Sequence, residues 1–84
     1  MSKFICIFTE FHYDVSGVPA YSDGILVETK KDVLNFLENI KYKNIYHNNL
    51  IEKVKKQIGN NLEEKVIDLH YFEGGMFIKL IKVN

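Results

Sequence analysis

The chain has 84 residues, enough for a single domain spanning residues 1–84 that hides only roughly 60–65% of the open chain's surface, so its core is thin. With 46% hydrophobic and 26% charged residues the composition is globular, which excludes a disordered or fibrous chain, and 11 basic against 11 acidic residues leave no overall field to steer it toward nucleic acid or an anionic membrane. All the basic residues are Lys and Trp is absent, so Tyr and Phe are the anchors left for recognising a partner.

Residues 4–8, Phe-Ile-Cys-Ile-Phe, are apolar on both alternating faces. From Thr9 the pattern divides into Phe11 and Tyr13 on one side and Glu10, His12 and Asp14 on the other, as in a central strand covered on both faces only at its start. The turn formers Gly17, Pro19, Ser22, Asp23 and Gly24 predict a loop over residues 14–24. Residues 25–28, Ile-Leu-Val-Glu, then form a second strand, antiparallel to the first because a loop and not a crossover helix joins them.

Thr29 caps a helix whose first turn holds Asp32 and whose apolar stripe is Val33, Phe36, Leu37 and Ile40. Asn48 or Asn49 is positioned to cap a second helix carrying Leu50, Ile51, Val54 and Ile58, which Gly59 ends as a left-handed residue. The C-terminal run "KVIDLHYFEGGMFIKLIKV" is a hairpin with Gly74 and Gly75 as its turn, pairing Phe72 with Phe77 and His70 with Lys79. The order ββααββ predicts an α+β two-layer sandwich: a four-stranded, mainly antiparallel sheet with both helices on one face. Ile5, Ile7, Ile67, Leu69, Tyr71, Ile78 and Leu80 are expected beneath the helices.

The other sheet face is the candidate working surface. It is expected to carry Phe8, Glu10, His12 and Asp14, then Asp68, His70 and Phe72, then Phe77, Lys79 and Ile81. Exposed rings on that scale mark binding surfaces, so Phe8, Phe72, Phe77 and Ile81 are candidate partner contacts, joined by Tyr13, Val18 and Tyr21 of the apolar loop. Imidazoles with carboxylates suit a divalent first-row metal, which makes Glu10, His12, Asp14, Asp68 and His70 the candidate ligand set if the first and third strands are neighbours. The same alternation is what any half-exposed strand displays, and neither an H-E-x-x-H helix nor a Cys pair accompanies it, so no metal or other cofactor is expected. His47 reads as a helix-end or exposed residue, and Cys6, in the most apolar stretch, as a buried thiol and not a nucleophile.

No internal disulfide can form from one Cys, which suits a reducing compartment such as the cytoplasm, and the N-terminal apolar run is too short for a signal peptide or a membrane span. The lysines of residues 41–56 could rest on phosphates, but Glu10, Asp14 and Asp68 beside the rings oppose a nucleic-acid backbone. The abundance of Ile, Lys and Asn fits an AT-rich genome, such as a low-GC bacterium or its phage. The leading expectation is therefore a small non-enzymatic binding module that engages a protein partner, inhibiting a host protein by occupying its surface. A metal-binding protein or enzyme on the Glu/His/Asp cluster, and a homodimer that pairs the open faces, are the alternatives.

Overall fold

The computed structural model describes residues 2–12 and 20–83. Tyr13, Asp14 and Val18, three of the candidates above, lie outside the described residues. The elements run β1 (Lys3–His12), β2 (Tyr21–Val27), α1 (Lys30–Glu38), α2 (His47–Gln57), β3 (Lys65–Tyr71) and β4 (Gly74–Val83). All ladders are antiparallel and build one four-stranded sheet in the order β2-β1-β4-β3. The expected α+β fold and its ββααββ order are present, with β1 central as its apolar start requires.

The helix ends follow local chemistry. Thr29 Oγ1 accepts from the Asp32 amide at 3.2 Å while the Asp32 carboxylate accepts from the amides of Thr29 and Glu28, a reciprocal cap that starts α1. Those two amides hold the Asp32 carboxyl below its ordinary value. The second cap is misplaced in the sequence reading: α2 starts at His47, so Asn48 and Asn49 fall inside its first turn. Asn44 shapes the entry instead, its Oδ1 accepting from the Tyr46 amide at 2.8 Å. At the other end the chain turns extended at Ile58, which buries its side chain, and Gly59 does not adopt the left-handed conformation.

The hairpin turn also differs. Phe72 and Glu73 form it, with Glu73 at φ 73°, and Tyr71 pairs with Gly74. The pairing is therefore Asp68 with Phe77 and Val66 with Lys79. This moves the turn by two residues, an even number, so the side chains of β3 and β4 keep their expected faces, while Phe72 leaves the outer face for the turn. The glycines serve another purpose. A Cβ on Gly74 would stand 2.5 Å from the Phe11 carbonyl oxygen, and one on Gly75 would stand 2.7 Å from the Phe11 ring. Both are small so that β1 can lie against the start of β4 with the Phe11 ring over Gly75, which is its register partner.

One face of the sheet packs on the helices. It contributes Phe4, Cys6 and Phe8 from β1, Val27 from β2, Ile67 from β3, and Met76, Ile78 and Leu80 from β4 to a core with Val33, Phe36, Leu37, Leu50, Ile51 and Val54. For β1 this reverses the expected sides. Phe8 is fully buried, not an exposed partner contact, and Ile5 and Ile7 face away from the helices. Burying two phenyl rings instead of two isoleucines fills more of the space between a thin sheet and two short helices.

Candidate functional site

The reversal of β1 carries Glu10 to the helix side as well, where its residue is only 9% exposed. Its Oε2 accepts from Asn44 Nδ2 at 3.1 Å and from the Tyr71 hydroxyl at 3.4 Å, and lies 3.3 Å from His12 Nε2. Asn44 Nδ2 also donates to the Tyr71 oxygen at 2.9 Å, and the Tyr71 ring stacks on Tyr46 with centroids 4.5 Å apart. A carboxylate taken from water needs such donors, and the segment before α2 and the end of β3 supply one each. Burial and the Glu10 charge push the Tyr71 hydroxyl above its ordinary value, so it remains a donor at neutral pH. The cluster opens onto a shallow cleft of about 290 Å³ that His12, Tyr46, Phe72 and Glu73 also line.

The four candidate ligands among the described residues, Glu10, His12, Asp68 and His70, do not converge. β4 separates β1 from β3, and Glu10 with His12 occupies the helix side while Asp68 and His70, 3.1 Å apart, occupy the opposite face. Among the described residues no three His, Cys, Asp or Glu side chains are grouped to hold a metal ion. His47 stands at the helix end, as one of its two expected readings has it, but is buried and not exposed. Its Nε2 is hydrogen-bonded to the Leu37 carbonyl, and its ring meets Phe8 edge-on at 5.6 Å. The lone pair this leaves on Nδ1 has no partner among the described residues. Burial pushes the Cys6 thiol up to about 12, which keeps it protonated and unreactive.

The sheet face away from the helices is the other candidate. Rows read across the strands give Leu26, Ile5 and Ile81; then Gly24, Ile7, Lys79 and Val66; then Ser22, Thr9, Phe77 and Asp68; then Phe11, Gly75 and His70. No described segment crosses it, since residues 41–46 pass on the helix side, where Asn44 and Tyr46 meet Glu10 and Tyr71. Ile5, Ile7, Phe11, Phe77, Ile81 and Val83 make a half-exposed apolar stripe along the two central strands, with Leu26 and Val66 more exposed beside it. Phe11 packs on Phe77 with centroids 6.3 Å apart and on His70 at 5.9 Å. Strands of this length give a face on the order of 600 Å², approaching the roughly 800 Å² that each partner contributes to a typical interface.

Of the expected partner contacts, the stripe contains Phe77 and Ile81. Phe72 projects from the hairpin turn at 88% exposure, off the face but beside the Glu10 cleft. Tyr21 belongs to β2 and packs against the core, its ring 6.0 Å from Phe8 and 5.4 Å from Tyr42. Ile5, Ile7 and Phe11 were missed because the charged residues of β1 were taken to mark its outer side. Two lysines of the basic stretch are tied down: Lys53 pairs with Asp68 and Lys55 with Glu52. No helix is long and apolar enough to cross a membrane among the described residues. Comparison with known protein families, curated proteins and solved structures finds no match for this chain.

Proposed function

We propose that this protein is a non-enzymatic binding module that seats the sheet face away from its helices on the apolar surface of another protein and acts by occupying it, as an inhibitor in a reducing, cytoplasmic setting would. The observation that carries the reading is the stripe of Ile5, Ile7, Phe11, Phe77, Ile81 and Val83, interrupted only by Thr9 and Lys79, with polar residues, Lys3, Ser22, Asp68 and His70, around it. An apolar centre with a polar rim is the anatomy of an interface.

Lys79 favours a different protein over a second copy. It stands in the middle of the stripe between Ile7 and Val66, and among the described residues it has no hydrogen-bond or ion-pair partner. Pairing two such faces about an axis through their centre would bring two ammonium groups together without a counter-charge, whereas a partner with a carboxylate there satisfies it. The test is affinity capture from the native host with the wild-type chain and with Phe77→Glu and Ile81→Glu variants, each first shown to melt cooperatively. One dominant protein held by the wild type and lost from both variants is expected. Equal capture by all three, or a wild-type mass in light scattering that is dimeric and becomes monomeric in the variants, defeats the proposal.

A further inference from the structure

The sheet has two lateral edges, and they are treated differently. Along β3 the helix α2 reaches over the edge: Lys53 Nζ donates to the Asp68 carbonyl and pairs with its carboxylate, and Lys65 Nζ returns to the Gln57 carbonyl at 2.6 Å. Along β2 no described element covers the backbone. Its first half is blunted by Asp23, whose Oδ1 accepts from the Gly24 amide at 2.8 Å and whose Oδ2 accepts from the Tyr21 hydroxyl. The second half, Ile25 to Val27, has no such device, and Ile25 and Leu26 are 46% and 55% exposed. An uncovered edge with apolar side chains is a template for another strand.

Between this half-edge and α1 lies a groove of about 360 Å³, deeper in character than a flat surface because Phe36 and Val27 form its floor. Its walls carry Asp23, Glu28 and Asp32 together with Asn35 and Asn39, and no Lys lines it. Asp32 is fixed in place by the α1 cap. We infer that the β2 edge takes an extended, basic segment of a partner protein as a fifth strand, placing alternate apolar side chains in the α1 groove and Lys or Arg against Asp23, Glu28 and Asp32. Main-chain bonds to Leu26, whose amide and carbonyl point away from β1 as the Gly24 amide does, supply register, the groove accepts every second side chain, and the three carboxylates select charge. The remaining side chains of the added strand fall on the outer face beside Leu26 and widen the surface of the proposed protein contact. The edge site nevertheless stands without that reading, since it rests on a different strand and a different groove.

Three capped peptides test it against the full-length, ¹⁵N-labelled chain: one alternating Val and Thr with flanking Lys, the same with Glu for Lys, and the Lys peptide N-methylated at alternate amides. The expected result is that the Lys peptide shifts the amides of Ile25–Val27 and of Asn35 and Phe36, and that the Glu and N-methylated peptides bind about tenfold or more weakly by calorimetry. Ile25→Lys and Asn35→Lys, both at exposed positions, should each remove the shifts, while Phe77→Glu on the sheet face leaves them intact. Equal binding of the N-methylated peptide, shifts centred on Phe11 and Phe77, or no shift with any peptide overturns the proposal. A wild-type dimer in sedimentation that Ile25→Lys dissociates would assign the edge to a second copy and overturn it as well.

Discussion

The two sides of β1 differ little in composition and entirely in use. Toward the helices it presents Phe4, Cys6, Phe8 and Glu10; away from them, Ile5, Ile7, Thr9 and Phe11. Each set has three apolar members and one polar one, so apolarity alone does not say which is inside. What distinguishes them is company. The inner set is closed over by Val33, Leu37, Leu50 and Val54, and its one charged member is matched by Asn44 and Tyr71. Over the outer set no described helix is laid. The inner side holds the helices on the sheet, and the outer side is apolar with no described helix packed on it, which is why it is the candidate for binding.

The sharpest way to break this comparison is to truncate one ring on each side. Phe8→Ala should destabilise by about 3–5 kcal/mol, because it opens a cavity under both helices. Phe77→Ala, on a half-exposed ring, should lose under about 1.5 kcal/mol. Urea unfolding of the two variants decides it, and similar losses would mean that the outer side is also sealed. A smaller effect tests the matched charge. Glu10→Ala removes the acceptor of the Tyr71 hydroxyl and one of the two that Asn44 Nδ2 uses and should lose about 1–3 kcal/mol, whereas Glu10→Gln retains an acceptor oxygen and should lose less.

The smallest effect is one of pH. The Cys6 thiol titrates near 9.0 when unfolded and at about 12 when folded, so its contribution is whole below pH 9 and is lost as pH rises toward 12. By pH 10 the loss should be about 1 kcal/mol, from the proton that the unfolded chain gives up first. Urea midpoints measured at pH 8 and pH 10 should fall for the wild type and fall less for Cys6→Ala. The same burial should leave the thiol unmodified by an aromatic disulfide reagent until the chain opens.

The secondary elements were legible where they rest on local chemistry, in the Thr29–Asp32 cap, the 3.6-residue stripes of both helices and the alternating runs on either side of residue 73, whereas Tyr21, Ser22, Asp23 and Gly24 read as loop and are the first half of β2. The side of β3 and of β4 was legible too, since Asp68 and Lys79 alternate with residues that only a core would take. The side of β1 was not. Glu10 was the misleading residue, because a carboxylate reads as solvent-facing unless its donors are known, and these come from residues 44 and 71, far along the chain. Once Glu10 is placed outside, Phe8 follows it by parity, and with it the supposed meeting of Glu10 and His12 with Asp68 and His70. The hairpin turn was misplaced for a related reason. Two glycines suggest a turn, but here they make room for Phe11 of a strand more than sixty residues earlier.

That same pairing joins the beginning of the chain to its far end. β1 spans residues 3–12 and its longest ladder is with residues 74–83, so the centre of the sheet is also its most distant contact along the sequence. During synthesis β1 therefore emerges long before the strand that will shield it, with only β2 available as a neighbour. Loop closure over such a separation is slow to be rewarded. The nascent protein passes through an interval in which Phe4, Cys6 and Phe8 have no helices above them and an open ladder beside them. Its yield in a cell should depend on how quickly translation delivers the final strand.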